Sequence, residues 1–376
     1  MREKRVCAIC CLPRVNAGGS IPPLRTNLLC CVKKTLTLRK SALPISSTLS
    51  QMQRPELISI LEKSKIFENW HWFSYHFNHV VHGRPNVLAD SIIEACLECE
   101  DKIPGYAQKV ISTLASVGGR ENHLPHWEQL VQILAELMVV RHVLSKVWEP
   151  ETQFLSEPSK TKGGKNPEIV LKNSSINLAV EVKAPALFEH QRIRTSNPEQ
   201  IVARFAKQKK ISSLVSGDTP ITLPRDNPVK DFLVSAQEKF EQFAEEPNFL
   251  GVLVVVWDDF IYEPISSLSH PECGLLTSNS FFKNADGESV VFPSVGAVVV
   301  LRHLHQIVRA CQEEPLVDGI IDPLQYKTET GFPPKALIAN KSSHQPIDKI
   351  QDIFQALPPD LNMGAEYTHK ELIWWF

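Results

Sequence analysis

Long apolar runs are missing from this chain. Its most hydrophobic stretches, such as Leu250–Trp257, are far too short to cross a bilayer. No transmembrane segment is expected, and such runs suit buried strands instead. Cysteine is sparse in the body, where only Cys96, Cys99, Cys273 and Cys311 occur. That excludes a disulfide framework and fits a reducing compartment, so a cytoplasmic location is expected. Acidic residues are nearly absent from the first fifty positions, which hold nine Lys or Arg and a single acid, Glu3.

The remaining five cysteines, Cys7, Cys10, Cys11, Cys30 and Cys31, crowd into that basic opening. A zinc site wants two well-spaced ligand pairs, and adjacent cysteines fit this poorly. With little periodicity, residues 1–51 read as a basic, disordered extension. They could be a transit peptide or a stretch upstream of a functional start near Met52.

The net charge of −2 hides an asymmetry. Beyond residue 50 the chain holds 31 basic and 41 acidic residues. Within that acidic body, residues 158–210 carry eleven basic residues and four acids, an island on which a polyanion could dock. A solvated basic surface explains the same composition.

The 376 residues suffice for a large core. Residues 52–120 read as a helical lobe, with helices over Pro55–Asn69, Leu88–Glu100 and Tyr106–Val117. The lobe contains His76, His79 and His82, spaced by three. On a helix that spacing drifts around the surface, and the dense aromatics nearby favour packing over metal binding. Residues 121–312 read as an α/β core. A periodic helix over 124–148 carries the stripe Trp127, Leu130, Val131, Leu134, Leu137, Met138 and Leu144, with Glu128 and Gln132 on another face. Strands follow at Thr152–Leu155, Glu168–Leu171 and Ile176–Lys183. A helix is expected from Glu199 to about Leu214 and another over Asp231–Ala244. Buried strands are expected at Asn248–Asp258 and Val295–Leu301, with a helix around His305–Cys311. Strands alternating with helices predict an α/β sandwich with a mixed sheet. Residues 313–376 read as an irregular extension, and no internal repeat is visible.

Alternation along Ile176–Lys183 puts Ile176, Leu178, Val180 and Val182 on one face and Asn177, Ala179, Glu181 and Lys183 on the other. Glu168 lies thirteen residues before Glu181, and a hairpin would bring both carboxylates to one end of the sheet. Two close carboxylates repel, so a divalent cation is their natural neutraliser. Phosphodiester hydrolysis needs those parts: acidic oxygens for Mg²⁺, and a cation beside the attacking water.

Pro167-Glu168-(x12)-Glu181-Val182-Lys183 resembles the active-site signature of the PD-(D/E)xK nuclease superfamily. Trp127-Glu128-Gln129-Leu130-Val131 is similar to the segment that supplies a helical glutamate in many members. The resemblance covers about residues 124–260. It implies a restriction-endonuclease-like α/β core, a mixed central sheet flanked by helices. It further implies that Glu168 and Glu181 are ligands of Mg²⁺ (Mn²⁺ substituting), that Glu128 is an auxiliary ligand, and that Lys183 positions or activates the water. Gln200, Arg204, Lys207 and Lys210 would meet the nucleic-acid backbone. One departure stands out: the family's first acid is usually Asp, and this chain has Glu168, with Glu157 as a fallback. The implied function is Mg²⁺-dependent hydrolysis of DNA, with RNA as a second candidate substrate, in restriction or defence, by a chain able to form a homodimer. The alternatives are a catalytically inactive module of the same fold that binds nucleic acid or protein, and a structural or regulatory protein whose helical lobe and aromatic tail engage a partner.

Overall fold

The computed structural model describes residues 52–376, apart from 119, 160–163, 187, 197–199, 202–203, 205–209, 211–213, 215–224, 332–334, 344, 359–372 and 375–376. The basic extension and its five cysteines thus lie outside the described residues.

The chain opens with helices α1 (Arg54–Glu62), α2 (Ser74–Val81), α3 (Val87–Glu100) and α4 (Tyr106–Ser116). The long helix α5 (Leu124–Leu144) follows, with a proline in its first turn and Arg141 and His142 in its last. Strands β1 (Gln153–Ser156), β2 (Ile169–Lys172) and β3 (Asn177–Lys183) form an antiparallel meander. Helix α6 (Phe188–Ser196), the short strand β4 (Gln200–Ile201) and helix α7 (Asp226–Glu241) lead to β5 (Phe249–Trp257). Helix α8 (Tyr262–Ser269), strand β6 (Ala297–Arg302), helix α9 (Leu304–Cys311), strand β7 (Lys335–Ala339), helix α10 (Ile347–Phe354) and strand β8 (Ile373–Trp374) complete the order.

Six strands form one open mixed sheet in the order β1-β2-β3-β5-β6-β7. Strands β3, β5 and β6 run parallel, and β7 returns antiparallel to β6. Strands β4 and β8 pair separately, in parallel. Every residue of β5 is buried, because helices cover both faces of the parallel centre. On one face Leu178, Val180, Val182, Val252 and Val254 share a continuous core with α1–α5, α9 and α10. On the other, Ala179, Leu253, Val255 and Trp257 pack against Val229, Leu233, Ala236 and Phe240 of α7 and Ile265 and Leu268 of α8. The expected α/β architecture with a mixed sheet is therefore present.

Helix α5 is the hub of the first layer. The Arg141 guanidinium spans Glu98 (2.6 Å) and Asp322 (2.6 Å), and the buried His142 ring meets the Ile353 carbonyl (3.0 Å) and stacks on Tyr326. The N-terminal helices share one continuous core with the sheet. Residues 313–376, expected to be irregular, contribute the sixth strand of the sheet, β7, and helix α10, which seals the end of the core. Of the span expected as a helix from Glu199 to about Leu214, Gln200–Ile201 form strand β4, Lys210 and Leu214 are helical, and most of the rest lies outside the described residues; the helix after β3 is α6. Pro185 and Pro198 bracket that nearer helix, leaving room for only a few turns.

The three histidines of α2 do not converge. His76 is buried against the Cys311 carbonyl (3.2 Å), His79 packs edge-on to Tyr75, and His82 meets the Asn78 carbonyl (2.9 Å). Among the described residues, no helix is long and apolar enough to cross a membrane.

Candidate active site

The site forms where β2 and β3 meet α5 and α7. Strand β3 presents Glu181 and Lys183 on the α7 side, as alternation requires. Glu181 is fully buried. Its Oε1 accepts from the Lys183 ammonium (2.7 Å) and from the Lys239 ammonium (2.6 Å) on the last turn of α7. Its Oε2 has no hydrogen-bond partner, a costly state for a buried carboxylate oxygen. Glu168 immediately precedes β2. Its carbonyl accepts from the Glu157 backbone N–H, and its carboxylate lies 3.7 Å from the Lys239 ammonium.

Helix α5 supplies a carboxylate that the sequence reading overlooked. Glu128, Gln132 and Glu136 stand at successive i, i+4 positions, so they form one row along the helix. That row follows the chain out of β3. Glu136 lines a small cleft with Glu168 and lies within reach of the charges of Glu168, Glu181, Lys183 and Lys239. One turn back, the Gln132 side chain donates to the Ala184 carbonyl (3.2 Å). A further turn back, the Glu128 carboxylate accepts from the Phe188 backbone N–H (3.0 Å) at the start of α6. Eight residues of helix rise about 12 Å, so Glu128 stands away from the carboxylate cluster and holds α6 in place. The helical acid at the cluster is Glu136. The signal was present in the sequence, since the face assigned to Glu128 and Gln132 continues to Glu136.

Burial and crowding explain the electrostatics. Desolvation, then the charges of Glu168 and Glu181, raise the Glu136 carboxyl to about 8. Desolvation and the neighbouring Glu181 raise Glu168 to about 7. Burial alone would push the Lys183 ammonium down. Glu181, through charge and hydrogen bond, and then Glu168 outweigh it, so Lys183 is held above its ordinary value. Lys183 is thus a fixed cation, suited to orient a water or offset charge on a phosphate, and unsuited to act as a base. A small cleft of about 40 Å³, lined by Tyr106, Glu136, Glu157 and Glu168 among others, opens beside the cluster. Glu157, the fallback acid, is there but is paired with Lys109 (2.8 Å).

Among the described residues, no three His, Cys, Asp or Glu side chains converge closely enough to form a ready metal cage. Two observations nevertheless fit a divalent cation. Glu181 Oε2 is buried without a partner, and, beyond burial, Glu136 is raised by the charges of Glu168 and Glu181 and Glu168 by that of Glu181. A cation at this point would relieve both conditions.

The expected nucleic-acid contacts fare differently. Arg204 is almost wholly enclosed. Its guanidinium grips Asp226 at the start of α7 through two 2.7 Å hydrogen bonds and reaches Ser266 Oγ (3.0 Å). A guanidinium committed in this way braces α7 and cannot meet a phosphate backbone. Gln200 belongs to β4, and Lys210 is exposed. Lys207 lies outside the described residues. Other members of the basic island are paired: Lys165 with Glu238, and Lys172 with Glu246 (2.6 Å). Comparison with models of protein families, with curated proteins and with solved structures finds no match for this chain.

Proposed function

We propose that this protein is a Mg²⁺-dependent nuclease with a restriction-endonuclease-like core, hydrolysing phosphodiester bonds in DNA. The observation that supports this reading is the fully buried Glu181, paired with Lys183 and sharing Lys239 with Glu168, while Glu168 and Glu136 line the small cleft alongside. Glu168 and Glu181 would hold the cation, with Glu136 as the auxiliary carboxylate. When bound, such a cation polarises the phosphate and lowers the pKa of the attacking water. Lys183, anchored on Glu181 Oε1, orients that water and offsets negative charge growing on the phosphate. Glu128, through Phe188, and Gln132, through Ala184, fix the path of the chain beyond Lys183. Substrate contacts would fall to exposed cations such as Arg192 and Lys210.

One observation favours a second reading, a retired nuclease scaffold that binds nucleic acid or protein. Glu181 already has two lysines on one oxygen, and the first acid is Glu168 where the family usually has Asp. Incubation of plasmid DNA with Mg²⁺ or Mn²⁺ separates the two. The nuclease reading expects nicking or linearisation, which Lys183→Ala lowers by about 10²–10³-fold in protein that is still folded by circular dichroism. No cleavage of DNA by the wild-type chain, or wild-type rates in the variant, would overturn it.

A further inference from the structure

Lys239 has no counterpart in the Glu-x-Lys pattern of β3, yet it reaches the same carboxylates from another element. Its ammonium lies 2.6 Å from Glu181 Oε1 and 3.7 Å from Glu168 Oε1, so it bridges the two acids. Among the described residues, Lys183 makes only the Glu181 contact within ion-pair distance. The end of α7 that carries Lys239 is clasped to the segment leading into Glu168. Glu238 pairs with Lys165, and the Gln242 side chain donates to the Lys165 carbonyl (2.6 Å). The backbone at Lys239 is therefore held, while its side chain, 15% exposed, keeps a route to solvent.

We propose that Lys239 is an internal counter-cation that competes with a divalent metal for Glu168 and Glu181, and must swing out when the metal binds. The inference rests on the metal-binding role proposed above for those two acids. A bridging ammonium and a bridging metal seek the same carboxylate oxygens. Even a metal taking Glu181 Oε2 would meet a like charge within a few ångströms in a poorly solvated site. With Lys239 in place the carboxylates are tolerable without metal. Without it, they are left under-neutralised and ready for one.

Calorimetric titration of Mn²⁺ into the full chain, without nucleic acid, tests this. Three proteins are compared: wild type, Lys239→Met, which keeps the length and loses the charge, and Lys239→Arg, which keeps the charge. Lys239→Met is expected to bind Mn²⁺ at least tenfold more tightly than wild type, and Lys239→Arg close to the wild-type value. Equal or weaker binding by Lys239→Met, with wild type still binding, would overturn the competition and leave the metal site standing. No binding by any of the three would overturn both. If Lys239→Met fails to fold by circular dichroism, Lys239→Gln replaces it, since an amide can still donate to Glu181.

Discussion

Two buried charge clusters lie on the same side of the sheet, and they are built differently. At the carboxyl end of β5, Arg225 donates to both oxygens of Asp258 (2.9 and 2.8 Å) and to Glu263 (2.7 and 2.9 Å). Glu263 also accepts from the Trp257 indole (3.3 Å) and meets the His190 ring (3.1 Å), while Arg225 stacks over Trp257. Each carboxylate there has its oxygens engaged. The cluster at the end of β3 leaves Glu181 Oε2 without a partner and keeps Glu136 and Glu168 at raised pKa. The shortfall in the Arg225 cluster falls on the cation, whose Nη1 is buried without a partner, and the acids are fully met. A carboxylate left incompletely paired is a strain that a ligand can relieve, which is the ground for proposing the site at the end of β3.

The largest effect that would sharpen this contrast is expected at Arg225. Arg225→Ala strands two buried carboxylates and should cost about 3–5 kcal/mol in urea unfolding, as removal of one partner of a buried pair does. A loss below about 1 kcal/mol would remove the distinction.

Glu136 should behave in the opposite way. Its carboxyl is raised in the folded state, so its contribution is fully present below the unfolded value near 4.5 and is lost as pH rises through about 8. In chelator, Glu136→Gln should therefore be more stable than wild type at pH 9 and nearly equal at pH 4. Equal stabilities at both pH values would mean that the Glu136 carboxyl is not strained.

The smallest effect is expected at Glu128. Removing its bond to the Phe188 N–H by Glu128→Ala should cost about 1 kcal/mol in the same unfolding assay and leave Mn²⁺ affinity unchanged. A loss of Mn²⁺ binding on Glu128→Ala would return this residue to the site.

The sequence made parts of this arrangement legible through local rules. Period-two alternation placed Glu181 beside Lys183, and unbroken β-branched runs disclosed β5 and β6 as buried strands. Glu168 was readable from hairpin spacing. What escaped depends on contacts distant in the chain. Helix α5 is buried almost all round, so its apolar pattern does not single out which acid faces the sheet. Lys239 lies 58 residues beyond Glu181 and meets it only through the packing of α7. Strand β7 is five residues long and begins with a lysine that is buried in the fold, so its pattern looked irregular. Arg204 looked like a surface cation because nothing local reveals Asp226 as its partner.

The central claim is that Glu168 and Glu181 form a metal site at the end of β3. Anomalous diffraction from crystals soaked in Mn²⁺ tests it most directly. The account predicts a peak bounded by the Glu168 and Glu181 carboxylates, with the Lys239 ammonium moved away from it. A soaked crystal with no peak at that position, and Lys239 still bridging both acids, would contradict it.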